Sequence, residues 1–396
     1  MLNLLQLFIA SQQSFGKLKL IDLSDSQNLI ETPDFTQVPN LERLILQGCI
    51  SLSKLHPSIG FLKRLIQLNL QGCKCLYSLP SNISLESLEI FHLSGCSRLQ
   101  KFPEIVGNMT CLSKLYLDGT AIKELPLSFK NLSGLILLSL RDCKNLSILP
   151  SVICSLSSLK TLTLSGCSRL VKMPENLQSM ECLEELDASE TAVRQVPSSI
   201  LILKNLKKLS FHGCKGLPPK SWDSLFCCCL FLKENSDPIS LLLPTSFVGL
   251  GSLVSLDLSD CNLLDGAIPD DLSCLSSLQS LNLSENKFTS LPNSICQLSK
   301  LIELSLVNCS RLQALPKLPL SILYLWAQNC TSLETYSNQI YMWTSSENVA
   351  IVNCSRLAEN EEQKYDKIFA SNAQSHLLFQ NLEVTLFLNT HINLCW

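Results

Sequence analysis

Leucines recur along the chain in one template, L-x-x-L-x-L-x-x-C/N/T, as in LERLILQGC at 41–49 and LSKLYLDGT at 112–120. Clear copies begin at residues 41, 65, 88, 112, 135, 159, 183, 206, 253, 278 and 301, and weaker copies begin at Leu18 and Ile322. Every interval between clear copies except one is 23 to 25 residues long. The L-x-L alternation predicts a short strand in each copy, with leucines on one face and the intervening residues on the other.

The remaining fifteen or so residues of each copy must return the chain to the start of a parallel strand. That return arc carries a second apolar set, such as Leu76, Leu79, Pro80 and Ile83. Strand and arc leucines then meet inside each coil, and neighbouring coils cover each other's open faces. This is the signature of leucine-rich repeats. The predicted fold is an α/β repeat, a horseshoe-shaped leucine-rich-repeat solenoid with a parallel β-sheet on its concave face.

The pattern divides the chain into three segments. They are an irregular N-terminal segment at 1–17, a leucine-rich-repeat domain of about 13 repeats at 18–336, and a C-terminal segment at 337–396. The interval from Leu206 to Leu253 spans two periods, but 218–248 lacks the template, which predicts either a degenerate repeat or an inserted loop. An amphipathic pattern near 359–379 predicts a helix that caps the open end of the solenoid.

The ninth template position is a turn into the interior, and most copies place cysteine there. Backbone groups left unpaired in a buried turn cost about 1–3 kcal/mol each, so a small side chain with hydrogen-bonding atoms fits this position. Asparagine bonds best, and threonine and cysteine bond more weakly, although cysteine also packs as a small hydrophobe. The predicted structural ladder is Cys49, Cys73, Cys96, Thr120, Cys143, Cys167, Thr191, Cys214, Cys261, Asn286, Cys309 and Cys330.

Disulfide and metal sites are the competing interpretations of these thiols. Stacked strands lie about 4.8 Å apart, close enough for a disulfide on distance alone. Side chains in one row point in parallel, however, so their sulfurs do not face one another. Zinc needs four converging ligands, and the sequence contains no C-x-x-C pair. We therefore predict free thiols, no metal site and no cofactor. Twenty cysteines in a long chain without an export signal favour the reducing cytosol.

Composition narrows the function classes further. The net charge is −3, so there is no basic surplus that would indicate a nucleic acid partner. A membrane span needs about 20 consecutive apolar residues, and the densest apolar patch, FCCCLFL at 226–232, is much shorter. We find no metalloprotease, nucleophile-elbow or phosphate-loop motif. The sequence therefore predicts no enzyme and no catalytic residue.

The template also predicts the residues on the concave face, because these alternate with the core leucines. The predicted protein-binding residues are Arg43, His92, Lys114, Tyr116, Arg141, Glu185, Asp187, Lys208, His212, Asp257, Tyr324 and Trp326. Thirteen strands give an arc of roughly 60 Å, which suits a protein better than a small molecule. Charge falls in blocks, basic at Lys114 and Arg141, acidic at 184–190, and basic again at 204–208.

The copies LSGCSRLQKFPEIVGNM, LDGTAIKELP and SETAVRQVPSSI, with the endings NCTSLET and NCSRL, resemble a known family. They resemble the leucine-rich-repeat region of plant intracellular immune receptors of the TIR/nucleotide-binding/leucine-rich-repeat family, over residues 18 to about 357. The resemblance implies recognition of a pathogen effector or guarded host protein, and restraint of activation through contact with the receptor's nucleotide-binding domain. It also implies a cytoplasmic or nucleo-cytoplasmic protein.

The sequence departs from that family in two ways. It lacks a G-x-x-x-x-G-K-[ST] phosphate loop and any signalling-domain pattern, and we find no P-G-x-x-I-P motif after NCSRL. Two alternatives stay open. One is an extracellular ectodomain that binds a peptide or protein, which the N-x-S/T sequons and CNLLDGAIPDDL favour. The other is a structural regulatory fragment that docks on a full-length receptor.

Overall fold

The computed structural model describes residues 15–215, 240–336, 349–351 and 353–357. Its main feature is one parallel sheet of 14 strands, stacked in chain order. The strands are Leu20–Asp22, Arg43–Ile45, Gln67–Asn69, Ile90–His92, Lys114–Tyr116, Leu137–Ser139, Thr161–Thr163, Glu185–Asp187, Lys208–Ser210, Ser255–Asp257, Ser280–Asn282, Glu303–Ser305, Tyr324–Trp326 and Val349–Ala350. Each described coil thus contributes one short strand, as the leucine template predicts.

The strands pair without register slips, so equivalent template positions form rows across the sheet. Leu44 pairs with Leu68, for example, and Leu281 pairs with Leu304. The leucines of the template are buried inside the coils, with exposures near zero throughout the core. Burying these apolar rows is the main source of stability, because it removes a continuous column of hydrocarbon from water. The predicted leucine-rich-repeat solenoid is confirmed.

The predicted α/β repeat implies α-helices in the return arcs, but the arcs have a different structure. Within the described residues they carry five 3-10 helices, namely Pro57–Phe61, Leu127–Asn131, Ser151–Ser155, Ser198–Ile202 and Asn293–Gln297. Other arcs are extended and pair as two short parallel sheets, Asn82–Ile83 with Glu104–Ile105 and Ala314–Leu315 with Thr335–Tyr336. A period of 23 to 25 residues leaves little chain for an α-helix, and the tighter 3-10 turn fits that length.

A left-handed residue ends each strand segment one position before the ladder residue. Glycine takes this position in many coils, as at Gly48 and Gly95 with φ of 71° and 79°. Aspartate, asparagine or glutamate takes it elsewhere, as at Asp142 with φ of 56° and Asn308 with φ of 60°. Glycine adopts this conformation without steric cost, and asparagine and aspartate tolerate it. The glycine of the repeated LSGC motif therefore provides the left-handed backbone conformation with which the chain turns into the core.

Two places where the template is weak behave differently. The strand Lys208–Ser210 pairs directly with Ser255–Asp257, so these two strands are neighbours in the main sheet despite the long interval between them. From 240 onward the chain rejoins the stack, where Leu241 is fully buried, while 216–239 lie outside the described residues. The strand Val349–Ala350 extends the sheet beyond Trp326, although the leucine template did not identify it. The helix predicted near 359–379 lies outside the described residues.

Candidate protein-binding surface

The concave face is the side of the 14-stranded sheet opposite the buried leucines. The structure places most of the predicted binding residues in its strands, where Arg43, Lys114, Lys208 and Tyr324 are exposed and the others are half-buried. Arg141 and His212 differ, because they lie in the turns that follow the strands Leu137–Ser139 and Lys208–Ser210. The predicted residues therefore share one face, and all of them except Arg43 fall into four local groups with different chemistry.

The middle of the face pairs its own charges. Lys208 Nζ lies 2.7 Å from Glu185 Oε1, its register partner on the neighbouring strand. Glu184 accepts from two lysines, Lys207 at 2.6 Å and Lys160 at 3.1 Å, and these cations lower the pKa of its carboxyl. The acidic block and the following basic block of the sequence lie on adjacent strands, and their side chains form ion pairs with each other. This part of the face therefore offers less free charge than the sequence blocks suggest.

The basic section contains an aromatic pair and a well-bonded carboxylate. The rings of His92 and Tyr116 stack with centroids 4.5 Å apart. Asp118 accepts hydrogen bonds from Ser94 Oγ at 2.9 Å, from the Arg141 amide at 2.9 Å and from Ser139 Oγ. Burial lowers the pKa of His92, and the nearby Asp118 carboxylate opposes that shift. Imidazole beside Tyr116 is therefore neutral at physiological pH.

Lys114 and Arg141 flank this aromatic pair. Neither side chain has a carboxylate within ion-pair distance among the described residues. Sequence reasoning missed Ser139, which lies inside its strand at the fifth template position. It also missed Asp118 and Ser94, which lie just after their strands at the seventh template position. The signal was present, since polar residues recur at that position through many copies.

A chain of hydroxyl bonds runs along the same row farther down the face. Ser189 Oγ donates to Asp187 at 2.6 Å, and Ser259 Oγ donates to Asp257 at 2.6 Å. His212 Nδ1 lies 2.8 Å from Ser259 Oγ. Because the single Ser259 proton goes to Asp257, the imidazole must donate from Nδ1. Asp187, His212 and Asp257 are thus fixed in position by their neighbours.

An aromatic and acidic group lies at the far end of the concave face. The Tyr324 and Trp326 rings are nearly parallel, at 15°, with centroids 6.3 Å apart. Glu303 lies opposite Tyr324 on the adjacent strand. Its Oε1 accepts from Trp326 Nε1 and its Oε2 accepts from Ser280 Oγ, both at 3.2 Å. Sequence reasoning identified both aromatics but missed Glu303, although strand alternation also puts Glu303 on this face. Its contact with Trp326 depends on the pairing of the two strands.

The ladder residues lie behind this face, in the core. Each ladder cysteine is buried, and its Sγ donates to a backbone carbonyl of the preceding coil, as from Cys73 to Leu46 at 3.1 Å and from Cys167 to Leu140 at 3.1 Å. Thr120 and Thr191 instead donate to carbonyls of their own coils, both at 2.8 Å. Cys354 continues this column, with its Sγ 3.3 Å from Ala327 O.

The fifteen cysteines from Cys49 to Cys330 in the described parts of the chain are free thiols. Burial raises the pKa of Cys96 to about 12 and that of Cys309 to about 11. Within the same residues, no group of three or more His, Cys, Asp or Glu side chains is placed to hold a metal ion. No helix among them is long and apolar enough to cross a membrane.

Comparisons with known proteins agree with this architecture. Residues 84–180 match a family model described as Disease resistance protein RPS4B-like, leucine-rich repeats. Residues 252–275 and 277–298 match the general Leucine Rich Repeat model.

Two curated relatives cover most of the chain. The TMV resistance protein N of Nicotiana glutinosa is 41% identical over 76% of this chain, and the Disease resistance-like protein DSC1 of Arabidopsis thaliana is 38% identical over 89% of it. The chain spans only 25% and 27% of the lengths of these two relatives. It is therefore related to plant disease resistance proteins through a part of their length.

Solved structures with similar folds share little sequence with this chain. A Leptospira interrogans leucine-rich-repeat protein is 19% identical with a TM-score of 0.37, over 83% of this chain and 93% of its own. A functional domain of InlJ from Listeria monocytogenes is 13% identical with a TM-score of 0.39, over 76% and 63%.

Proposed function

We propose that this chain, a leucine-rich-repeat module related to plant disease resistance proteins, recognises another protein with its concave face. The partner is a pathogen effector or a guarded host protein, and the same module restrains activation by contacting a receptor's nucleotide-binding domain. The module acts in the cytoplasm. Leucine-rich repeats are protein-interaction folds, and the relatives are named for disease resistance.

One observation carries the choice of surface. The concave face holds fixed aromatic and polar side chains across the sheet, and it leaves Lys114 and Arg141 without carboxylate partners among the described residues. Aromatic and arginine side chains are enriched among the residues that dominate protein interfaces. Unpaired cations that flank an aromatic pair favour a partner with an acidic patch at this section.

Charge reversal on the concave face, compared with charge reversal on the return arcs, tests this surface. We expect Lys114→Glu with Arg141→Glu to weaken co-precipitation of the chain with the nucleotide-binding domain of a related plant receptor, both expressed in leaf cells. The reversed charges would repel an acidic patch, so a loss of about 10-fold or more is expected. The measurement is the captured fraction as the salt concentration is varied, because charge contacts weaken with salt.

The matched control reverses two lysines of the return arcs, Lys123→Glu with Lys130→Glu. Both lysines are exposed, and Lys130 lies in the 3-10 helix Leu127–Asn131, away from the concave sheet. The two double variants carry the same change in net charge. Equal binding by both variants and the unmodified chain, or equal loss in both variants, would contradict recognition through the concave face.

A further inference from the structure

We propose that Tyr324, Trp326 and Glu303 form a subsite for an arginine side chain of the bound protein. This inference rests on the proposed function, because it specifies what the partner presents to one end of the same face. The partner segment is a basic one, which distinguishes it chemically from the acidic patch expected opposite Lys114 and Arg141.

The two rings supply the first part of this subsite. Tyr324 and Trp326 occupy alternate positions of one strand, so both point to the concave side, and Tyr324 is 39% exposed. A cation is attracted to the face of an aromatic ring, most strongly to tryptophan. The guanidinium group is planar and weakly hydrated, so it stacks on such a face more readily than an ammonium group does.

The carboxylate supplies the second part. Glu303 accepts from Trp326 Nε1 and Ser280 Oγ, both of which are neutral donors. It has no lysine, arginine or histidine partner among the described residues, whereas Glu184 and Glu185 each pair with lysine. Two carboxylate oxygens offer about four acceptor positions, so at least one remains for a charge-assisted bond from a guanidinium.

The surroundings favour a cation over other occupants. The concave strands Ser255–Asp257, Ser280–Asn282, Glu303–Ser305 and Tyr324–Trp326 contain acidic residues at 257 and 303 and no lysine or arginine.

Small probes test this subsite on the intact chain without the partner protein. The chain contains four tryptophans, and the indole N–H signal of Trp326 is assigned in the NMR spectrum by its loss in Trp326→Phe. The probes are N-acetyl-arginine amide, N-acetyl-lysine amide and the neutral isostere N-acetyl-citrulline amide. We expect arginine amide to shift the Trp326 signal with an affinity about 3-fold to 5-fold above that of citrulline amide.

Glu303→Gln separates the charge from the shape of the site. We expect it to weaken arginine amide binding about 5-fold and to leave citrulline amide binding unchanged. Glu185→Gln is the matched control on the same face, because its carboxylate already pairs with Lys208, and it should change neither affinity. The far-ultraviolet circular dichroism and urea midpoint of each variant verify that the fold is intact.

Three results would overturn the arginine subsite. They are equal affinity for arginine and citrulline amides, equal loss in Glu303→Gln and Glu185→Gln, and tighter binding of N-acetyl-phenylalanine amide, which would indicate an apolar occupant. None of them bears on the co-precipitation of the Lys114 and Arg141 variant. Conversely, arginine amide can bind even where co-precipitation shows no dependence on the concave face, so the two proposals fail separately.

Discussion

At the scale of single residues, asparagine and cysteine at the ladder position both bond to buried backbone groups of the turn, but to different extents. The two N–H groups of the Asn286 amide donate to Leu258 O and Leu283 O, both at 2.9 Å, and the amide nitrogen also lies 3.2 Å from Ser284 O. Its carbonyl accepts from the amides of Cys261 and Leu263 at 3.2 and 3.0 Å. A ladder cysteine such as Cys309 gives one thiol bond, to Leu283 O at 3.3 Å. Asparagine therefore bonds to two coils at once, and cysteine contributes packing in place of further bonds.

This difference predicts the cost of removing each side chain. Asn286→Ala leaves several buried backbone groups unpaired, so we expect the free energy of unfolding to fall by about 3 kcal/mol. Cys309→Ala loses one weak bond and a small buried volume, so we expect a fall of about 1 kcal/mol. Urea unfolding followed by circular dichroism measures both.

Asn205→Ala is the control for the asparagine. Asn205 is exposed and makes one side-chain bond, to Glu181 O at 2.8 Å, so its loss should shift the urea midpoint least of the three. If Asn286→Ala were no more destabilising than Asn205→Ala, the buried bonds of Asn286 would not stabilise the stack.

At the scale of elements, register decides which surface each coil presents. Strand pairing brings Glu185 against Lys208 and Glu303 against Tyr324. One residue of slip would turn the leucines outward and the polar residues into the core. The close approach of neighbouring coils is equally demanding, because a Cβ built on Gly134 would overlap the carbonyl oxygen of Thr110 in the preceding coil.

Gly134→Ala should therefore push two coils apart. We expect a loss of about 1–3 kcal/mol of stability, because the clash is with backbone that cannot rotate away. Gly251→Ala is the matched control, since its Cβ would lie 3.6 Å from the nearest atom, Cys274 O, and we expect a change within about 0.5 kcal/mol. Urea midpoints distinguish the two. Equal midpoints would mean that the coils tolerate a wider spacing.

At the scale of the whole molecule, the coils share one continuous core. The ladder thiols are all inside it, whereas Cys111 and Cys182 are exposed. Thiolate is the reactive form of cysteine, and it must also be reached by the reagent. Among the described residues, the ladder thiols are therefore shielded from reagents, whereas Cys111 and Cys182 are accessible.

Iodoacetamide labelling tests this separation. We expect Cys111 and Cys182 to react in the native protein and the ladder thiols to react only after denaturation, as measured by mass spectrometry of peptides. Since burial raises the pKa of Cys309 to about 11 and of Cys96 to about 12, protection should persist into alkaline solution.

The raised thiol pKa values also make stability depend on pH. In the unfolded chain a thiol loses its proton near its ordinary pKa of 9.0, whereas in the folded protein the pKa of Cys96 is raised to about 12. The free energy of unfolding therefore falls as the pH rises from 9.0 towards 12.

The labelling experiment has one contradicting outcome. Rapid labelling of Cys96 in folded protein at neutral pH would contradict a buried ladder.

The sequence by itself determined the solenoid, the buried leucines and the ladder positions, because each is a local periodicity repeated through the chain. It also named Tyr324 and Trp326 as concave residues, since strand alternation alone fixes their side. The sequence was a poorer guide to the charges of the concave face. The acidic block at 184–190 and the basic block at 204–208 are separate along the chain, but their side chains form ion pairs across adjacent strands.

Only the tertiary structure decided which side chains of neighbouring coils meet and how the stack continues across the long interval. It paired the strand at 208–210 with the strand at 255–257 across the long interval, joined Glu184 to Lys160 and Lys207, and placed Glu303 beside Trp326. These contacts join residues more than 20 positions apart. The physical reason is that a periodic sequence specifies each coil by local geometry, whereas ion pairs and binding groups depend on the lateral packing of one coil against the next.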